Sequence, residues 1–481
     1  MKYRMIGKLM GILMMVLAVF MATSIGWSVY YGETKTTRAF LLSASITFLF
    51  GAVLYYRGRK ETGVIGRREA LFVVTTCWLF IGLFGALPYM LDGAFTNYAD
   101  AFFETVAGFT TTGSTVLTDI ESISRGLHFW RALTHWLGGM GIVVLFIAIF
   151  PQLGVGAKHL FKSEVPGPIT EGLKPKIKET ASTLWKIYLG LTVAEGLLLY
   201  FSGMNVFDSV CHSFSTMATG GFSTKNASVA YYDSARIDAI ITVFMFLAGV
   251  NFSLYYLMLK GRITAIFKDR EFRVYAAVVI VATLVMAASI LVLHRDFLKA
   301  LRYASFQVVA VVTTTGFGTD NFELYPSFSK LLLVVLMFMG GSAGSTAGGV
   351  KVSRIMVVIK AAFIEIYKIF RPQAVKSVKI GRSAMSDEVT KSILGFFVIA
   401  VFIFVAGSLF MALLGLDIIT ACTSVVATMF NIGPGLARVG PVENFAFIPS
   451  VGKIFLSFCM ILGRLEFYTV LVLFVPDFWK R

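Results

Sequence analysis

Charge is scarce in this chain. Asp, Glu, Lys and Arg make up only 15% of its 481 residues, against roughly 25% in a soluble domain. Hydrophobic residues reach 57% and the mean hydropathy is +0.78, which excludes a soluble globular protein and implies many membrane spans. Cysteine is almost absent: Cys77, Cys211, Cys422 and Cys459 sit in apolar segments or at their ends, without CxxC spacing. A disulfide framework or a zinc site is therefore not indicated. The five histidines are scattered and form no HExxH pattern. No Rossmann GxGxxG or Walker pattern is found, so any nucleotide control has to come from a partner. A membrane-embedded enzyme needs converging His, Asp, Ser or Cys groups within its spans, and none is evident. Acidic residues are outnumbered 27 to 43, giving a net charge of +16. In a soluble chain that excess suggests nucleic acid; here the basic residues cluster in short loops, as orientation in a membrane requires. Nucleic-acid binding is not expected.

What is present is a series of apolar runs, at about 8–30, 38–56, 69–91, 128–152, 181–203, 234–260, 272–294, 328–366, 390–415 and 448–475. Each is long enough for the roughly 20 residues that cross a bilayer, which predicts ten spans. The first run follows Lys2, Arg4 and Lys8 in the manner of a signal peptide, but it is long enough to span and no small-residue cleavage site follows, so a retained helix is expected. Four loops concentrate positive charge: Arg57, Arg59, Lys60, Arg67 and Arg68; Lys158, Lys162, Lys174, Lys176 and Lys178; Lys260, Arg262, Lys268, Arg270 and Arg273; Lys368, Arg371, Lys376, Lys379 and Arg382. By the positive-inside rule these loops and both termini are cytoplasmic. In the first outward loop, Asp92, Asp100, Glu104, Asp119 and Glu121 outnumber Arg125.

Between the spans a Thr/Gly turn recurs: Thr110-Thr111-Thr112-Gly113-Ser114-Thr115, then Met217-Ala218-Thr219-Gly220-Gly221-Phe222, then Thr313-Thr314-Thr315-Gly316-Phe317-Gly318, and a looser Phe430-Asn431-Ile432-Gly433-Pro434-Gly435. The aligned glycines Gly113, Gly220, Gly316 and Gly433 are about a hundred residues apart. Such runs offer little to pack, but their backbone carbonyls can replace the water around a dehydrated cation. Each follows a semi-apolar segment too short to span: Tyr98–Phe109, Val206–Met217, Leu301–Val312 and Asp417–Met429. Such segments read as re-entrant helices, tolerated at membrane depth where protein buries them or they line a watery cavity. Asp100, Asp208 and Asp417 near their starts suit N-caps or an outer mouth attractive to cations; the caps are preferred. The chain thus divides into an N-terminal helix pair, 1–65, and four units of helix, re-entrant helix, turn and helix: 66–155, 156–262, 263–375 and 376–481.

The phrases AGFTTTGSTV, HSFSTMATGGFST, VVTTTGFGTD and MFNIGPGLARVGP, in this order, resemble the Trk/Ktr/HKT superfamily of potassium transporters, most nearly the bacterial Trk-type uptake subunits (TrkH, TrkG, TrkI). The resemblance covers nearly the whole chain, including the extra N-terminal helix pair that Ktr-type relatives lack. It implies an all-α integral membrane fold of ten transmembrane helices, with four pseudo-repeats around a pore. It also implies a potassium filter formed by Thr111, Thr112 and Gly113, Ala218, Thr219 and Gly220, Thr314, Thr315 and Gly316, and Asn431, Ile432 and Gly433. Potassium is the only metal expected, as substrate; no cofactor is expected on this chain. In plant relatives a serine at the first glycine position goes with sodium permeation; all four positions are glycine here, which favours potassium. Ile432 and Pro434 break the fourfold pattern, so less uniform ion sites and weaker potassium/sodium discrimination are expected.

Gly340-Gly341-Ser342-Ala343-Gly344-Ser345-Thr346-Ala347-Gly348-Gly349 interrupts the run 328–366. So many small residues exceed what a packing face needs, and the glycines make a poor helix; a broken helix is expected. In the family it is a mobile gating loop beneath the filter. Lys351 and Arg354 would mark its cytoplasmic exit. Arg464 lies within the last span, where a charge is costly and faces a cavity or partner. Glu466, two residues on, points elsewhere on a helix; the resemblance places Arg464 in the pore beside the gate. Gly138-Gly139-Met140-Gly141 is read as a packing site rather than a pore kink, and His135 and His212 as hydrogen-bonded structural residues. Glu466 and Glu195 are buried candidates without a nameable partner. The resemblance further implies a homodimer in the bacterial cytoplasmic (inner) membrane, resting on a cytosolic TrkA-like regulatory subunit that binds NAD(H) or ATP. The basic loop 366–391 is a candidate docking surface, though membrane orientation explains its charge nearly as well. A sodium- or proton-coupled symporter is the alternative to a gated pore.

Overall fold

The computed structural model describes residues 1–61, 65–141, 177–374, 376–380 and 383–480. Residues 142–152 of the fourth apolar run, together with Lys158, Lys162, Lys174, Lys176 and Arg382, lie outside the described residues. Apart from a two-residue strand pair, Lys379–Ile380 with Ser383–Ala384, the described regular structure is helical. Among the described residues six helices are long and apolar enough to cross a membrane, or up to eight if each of two sharply bent pairs is one span. Large apolar side chains stand outward on them, Phe402, Leu413 and Val292 among them, which only a hydrocarbon solvent accommodates at this density.

The first two helices, Tyr3–Tyr30 and Thr34–Gly58, close on each other through small residues. A Cβ on Gly11 would stand 2.5 Å from the Gly51 carbonyl, and one on Gly51 would stand 2.7 Å from that of Gly11. This pair is fastened to the rest at its outer corner. The Glu33 carboxylate accepts the N–H groups of Arg125 and Gly126 at 2.6 and 3.0 Å, satisfying donors that the start of helix Arg125–Gly139 would otherwise leave orphaned.

One order of elements then occurs four times. Long helices Arg67–Gly85, Ile177–Phe201, Arg270–His294 and Asp387–Leu413 each precede a short helix. The short helices are Tyr98–Phe109, Val206–Met217, Phe297–Val312 and Ile418–Met429; the third begins one turn earlier than its sequence suggests. The first, second and fourth have twelve residues and the third has sixteen, reaching about 18 and about 24 Å, both short of a bilayer's roughly 30 Å of hydrocarbon. Asn97, Asn205, Asp296 and Asp417 cap them, accepting from Ala99, Asp208, Leu298 and Thr420 N–H groups. Of the three aspartates expected to cap, only Asp417 does. Asp100 instead pairs with Lys453 at 2.7 Å, and Asp208 accepts the Asn205 amide at 2.8 Å and the Thr224 hydroxyl at 2.7 Å. The reason is register: a cap stands just before the first turn, whereas Asp100 and Asp208 lie within it.

Of the helices that follow the turns, the second, third and fourth are interrupted. The first ends at Gly139. The second breaks after Ala248 and resumes at Phe252, bent by 93°, with Asn251 capping the new start. The third stops at Met337 and resumes at Val352. The fourth breaks after Arg464 with a bend of 114°, where Glu466 takes φ 59°. The runs 234–260 and 448–475 are therefore not continuous helices, as 328–366 was not expected to be.

Candidate functional site

The four short helices end in the same way. Their caps Thr110, Ala218, Thr313 and Phe430 are each followed by a left-handed residue: Thr111 (φ 55°), Thr219 (56°), Thr314 (56°) and Asn431 (58°). The next N–H, of Thr112, Gly220, Thr315 and Ile432, reaches back to the carbonyl of Ala107, Ser215, Ala310 and Ala427 at 2.8 Å in every case. This is the Schellman termination, which ordinarily uses glycine. A β-branched threonine there is an outlier and costs about 1–3 kcal/mol.

After one further residue each chain reaches a glycine with positive φ: Gly113 (80°), Gly221 (81°), Gly316 (77°) and Gly433 (105°). The second turn thus runs Thr219-Gly220-Gly221, and alignment on Gly220 is one residue out of register. Gly220 occupies the place of Thr112, Thr315 and Ile432, while Ala218 corresponds to Thr110, Thr313 and Phe430. Two adjacent glycines hide this in the sequence; the left-handed Thr219 decides it.

The glycines close the four turns on one another. A Cβ on Gly113 would fall 2.0 Å from the Gly220 carbonyl oxygen, one on Gly221 2.0 Å from that of Thr315, one on Gly316 2.0 Å from that of Ile432, and one on Gly433 2.8 Å from that of Thr112. Each turn therefore abuts the next and the fourth returns to the first, a ring that side chains at these positions would pry apart. The Ser114 hydroxyl adds a bond across the last joint, to the Gly433 carbonyl at 2.8 Å. Side chains are less uniform than backbone. Thr110 and Thr112, and likewise Thr313 and Thr315, share hydroxyl contacts of 2.8 Å; the second and fourth turns, with Ala218/Gly220 and Phe430/Ile432, have none of this kind to make. On one side of the ring Gly113, Gly221, Gly316 and Gly433 line a common cavity with Ser114, Asn226 and Glu443.

On the other side lies the interrupted segment 340–349, held by backbone bonds instead of a helix. Gly340 N–H reaches Val350 O at 2.9 Å, Ser342 N–H reaches Gly249 O at 2.8 Å, and the Glu271 carboxylate accepts Ala343 and Ser353 N–H groups at 2.8 and 2.9 Å. Gly348 N–H donates to the Thr314 hydroxyl at 2.7 Å, and a Cβ on Gly348 would be 2.5 Å from the Phe430 carbonyl. A Cβ on Gly341 would stand 2.9 Å from that of Ala347 and 3.0 Å from the Ser345 hydroxyl, and Ala343, Gly344 and Gly349 complete the bend, the two glycines at φ 74° and 66°. Lys351 is 2% exposed and donates to the Ala347 carbonyl. It belongs to the loop's interior rather than marking an exit, because its ammonium serves carbonyls that the broken helix leaves unpaired.

Arg464 joins these parts. Its Nη1 donates to the Thr111 hydroxyl at 3.0 Å and the Thr346 carbonyl at 2.9 Å. Its Nη2 donates to the Gly138 and Gly139 carbonyls at 2.5 and 2.9 Å. Gly138 and Gly139 thus serve packing, with a Gly138 Cβ only 1.8 Å from the Phe109 carbonyl, and also supply acceptors to the site. Glu466 pairs with Arg354 at 2.6 Å; Glu195 is fully buried. His212 bridges the Asp208 carbonyl and the Ser223 hydroxyl at 2.8 and 3.0 Å, and His135 lies 3.3 Å from the Ser215 hydroxyl, both as structural residues.

One pair escapes a reading of the sequence. Glu104 is not a charge of an outward loop; it is fully buried and bonded to Arg131 at 2.8 Å. The signal was available, since Arg131 sits inside an apolar run as Arg464 does.

Residues 36–481 match the family model described as TrkH, cation transport protein. The chain belongs to the TrkH family. It is 41% identical over 451 residues to the Trk system potassium uptake protein TrkH of Salmonella typhimurium, with 92% of each chain covered. It is 39% identical over 486 residues to the protein of the same name from Halomonas elongata, with 100% of each covered. It also superposes on the crystal structure of the potassium transporter TrkH from Vibrio parahaemolyticus with a TM-score of 0.90, at 34% identity and 100% coverage of both chains. With its spanning helices, the TrkH-family chain is a multi-pass membrane transport protein.

Proposed function

We propose that the chain takes up potassium across the bacterial cytoplasmic membrane through the ring of turns. The observation that carries this reading is the closure of the ring: four turns, each ending on a left-handed residue and a positive-φ glycine, gather backbone carbonyls around one axis. Carbonyl dipoles can replace the hydration shell of a potassium ion. The negative ends of four short helices converge there as well, which favours a cation. Relatives named as potassium uptake proteins at 41% and 39% identity support the choice of ion.

In this reading ten spans carry four pseudo-repeats and the extra helix pair, with both termini cytoplasmic. The membrane potential drives uptake, at about 2.3 kcal/mol per charge per 100 mV. Segment 340–349 and Arg464 are the gate, and a homodimer meets a cytosolic nucleotide-binding subunit on the basic loops. The uneven side chains of the four turns go with less uniform ion sites than a symmetric ring has. A coupled symporter draws no specific support from the site.

The test is rescue of a potassium-uptake-deficient bacterium at low potassium, with and without a co-expressed regulatory subunit. Growth is the expected result. Failure in both cases, with the protein present in the membrane, overturns the proposal.

A further inference from the structure

The ion pair of Glu104 and Arg131 stands outside the ring but grips it. Arg131 Nε donates to Glu104 Oε1 at 2.8 Å, with side chains 1% and 0% exposed. The carboxylate accepts the Thr115 hydroxyl at 2.9 and 3.0 Å and the Val116 N–H at 2.9 Å. From Nη1, Arg131 also donates to the Ser223 carbonyl at 3.2 Å, and its guanidinium lies 4.0 Å from the centre of the Phe222 ring. Thr115 and Ser223 are equivalent points: each is two residues beyond the glycine of its turn, Gly113 or Gly221. One ion pair therefore fixes two neighbouring turns at the same level.

The equivalent points of the other two turns are Gly318 and Gly435, and uncharged groups hold them: the Gly318 N–H donates to the Ser228 hydroxyl at 3.2 Å, and the rest is main chain. Ala230 N–H donates to Gly318 O at 3.1 Å, and Gly435 N–H donates to Val439 O at 2.7 Å. At these points half of the ring is braced by charge and half by main chain and a neutral hydroxyl. Stability does not demand the charged brace, because a buried ion pair is often replaceable by apolar residues at no loss. Its use must lie in position and in charge. Arg131 lines the cavity shared by the four glycines, so a guanidinium without its carboxylate would stand as a bare positive charge where cations enter.

We infer that Glu104 and Arg131 are positioning residues that set cation discrimination: the pair holds the first and second turns at a fixed spacing, while Glu104 cancels the charge of Arg131 at the mouth. This rests on the reading of the ring as a potassium filter. It separates two quantities that a merely structural role would move together. Glu104→Gln leaves the guanidinium uncompensated and should lower both potassium flux and the potassium/sodium permeability ratio. Glu104→Gln with Arg131→Met removes both charges, leaves no unpaired ion buried, and should restore flux while the ratio stays severalfold below that of the unsubstituted chain.

The experiment measures potassium and sodium flux into liposomes carrying the full-length purified protein. Melting temperature and elution volume establish that each variant is folded. A folded double variant with an unchanged permeability ratio overturns the inference, as does Glu104→Gln with unchanged flux and ratio. If the unsubstituted chain itself shows no preference between the two ions, the filter reading fails and the inference falls with it.

Discussion

The hydroxyl of Thr314 accepts the N–H of Gly348 at 2.7 Å, joining the ring directly to the loop beneath it. Thr314 holds a left-handed conformation at φ 56° that glycine would adopt without strain. Glycine has no hydroxyl, and the hydroxyl is what meets the loop. Thr111, the matching residue of the first turn, receives Arg464 in the same way at 3.0 Å. The backbone strain under the ring thus goes with its connection to the parts proposed to gate it.

Thr314→Val tests that connection. Valine keeps the branched shape but offers no acceptor, so the buried Gly348 N–H is left unpaired, at a cost of about 1–3 kcal/mol. The loop should leave its present position more often, and potassium flux into liposomes without a regulatory subunit should rise. Thr314→Ser, which retains the hydroxyl, should stay near the unsubstituted level. Equal flux in all three proteins would refute the link.

Gly316 and Gly318 form a matched comparison two residues apart. A Cβ on Gly316 would stand 2.0 Å from the Ile432 carbonyl at φ 77°, whereas nothing lies within 4 Å of one on Gly318. Gly316→Ala should abolish flux while the protein still folds, with a loss of about 1–3 kcal/mol for the strained backbone. Gly318→Ala should conduct normally. Uptake assays with melting curves decide it; a fully conducting Gly316→Ala would mean that the ring is not the ion path.

Much of this was legible in the sequence, for identifiable reasons. Apolar length located the long spanning helices, and the abrupt shift to threonine and glycine located the turns, two of the four short helices to the residue and a third to within one. The glycine-dense run 340–349 announced its own break. Interruptions elsewhere were hidden, because Gly249-Val250-Asn251 and Leu465-Glu466 are too brief to disturb an apolar run. Residues whose meaning depends on a distant partner were misread in the same manner. Glu104 looked like a loop charge until Arg131 was found beside it, and Lys351 looked like an exit marker although it serves the loop's own carbonyls. Composition reports how much charge a segment carries, but only packing reports where that charge is neutralised.

The one-residue register of the second turn can be tested by rescue. A Cβ on Gly220 would meet the His135 ring at 2.3 Å, whereas one on Gly221 would meet the Thr315 backbone carbonyl at 2.0 Å. Both Gly220→Ala and Gly221→Ala should fail to transport. Adding His135→Ala removes the obstacle to the first substitution only, so Gly220→Ala should recover part of its flux and Gly221→Ala none. Recovery of the Gly221 variant instead would restore Gly220 to the glycine position of the ring.

Arg464 combines a charge and a tether, and two substitutions separate them. Its planar fork reaches Thr111 and Thr346 with one nitrogen and the Gly138 and Gly139 carbonyls with the other. A lysine ammonium is a single point of charge on a flexible stem and cannot reproduce that spread. Arg464→Ala removes both the charge and the tether, and on the proposed gating role unregulated potassium flux should rise severalfold. Unpaired carbonyls should also cost about 1–3 kcal/mol in stability, visible as a lower melting temperature. Arg464→Lys keeps the charge and loses most of the tether, so its stability should resemble that of the alanine variant while its flux stays closer to that of the unsubstituted protein. If lysine and alanine raise flux equally, the tether alone holds the pore closed; if neither raises it, Arg464 is no part of the gate.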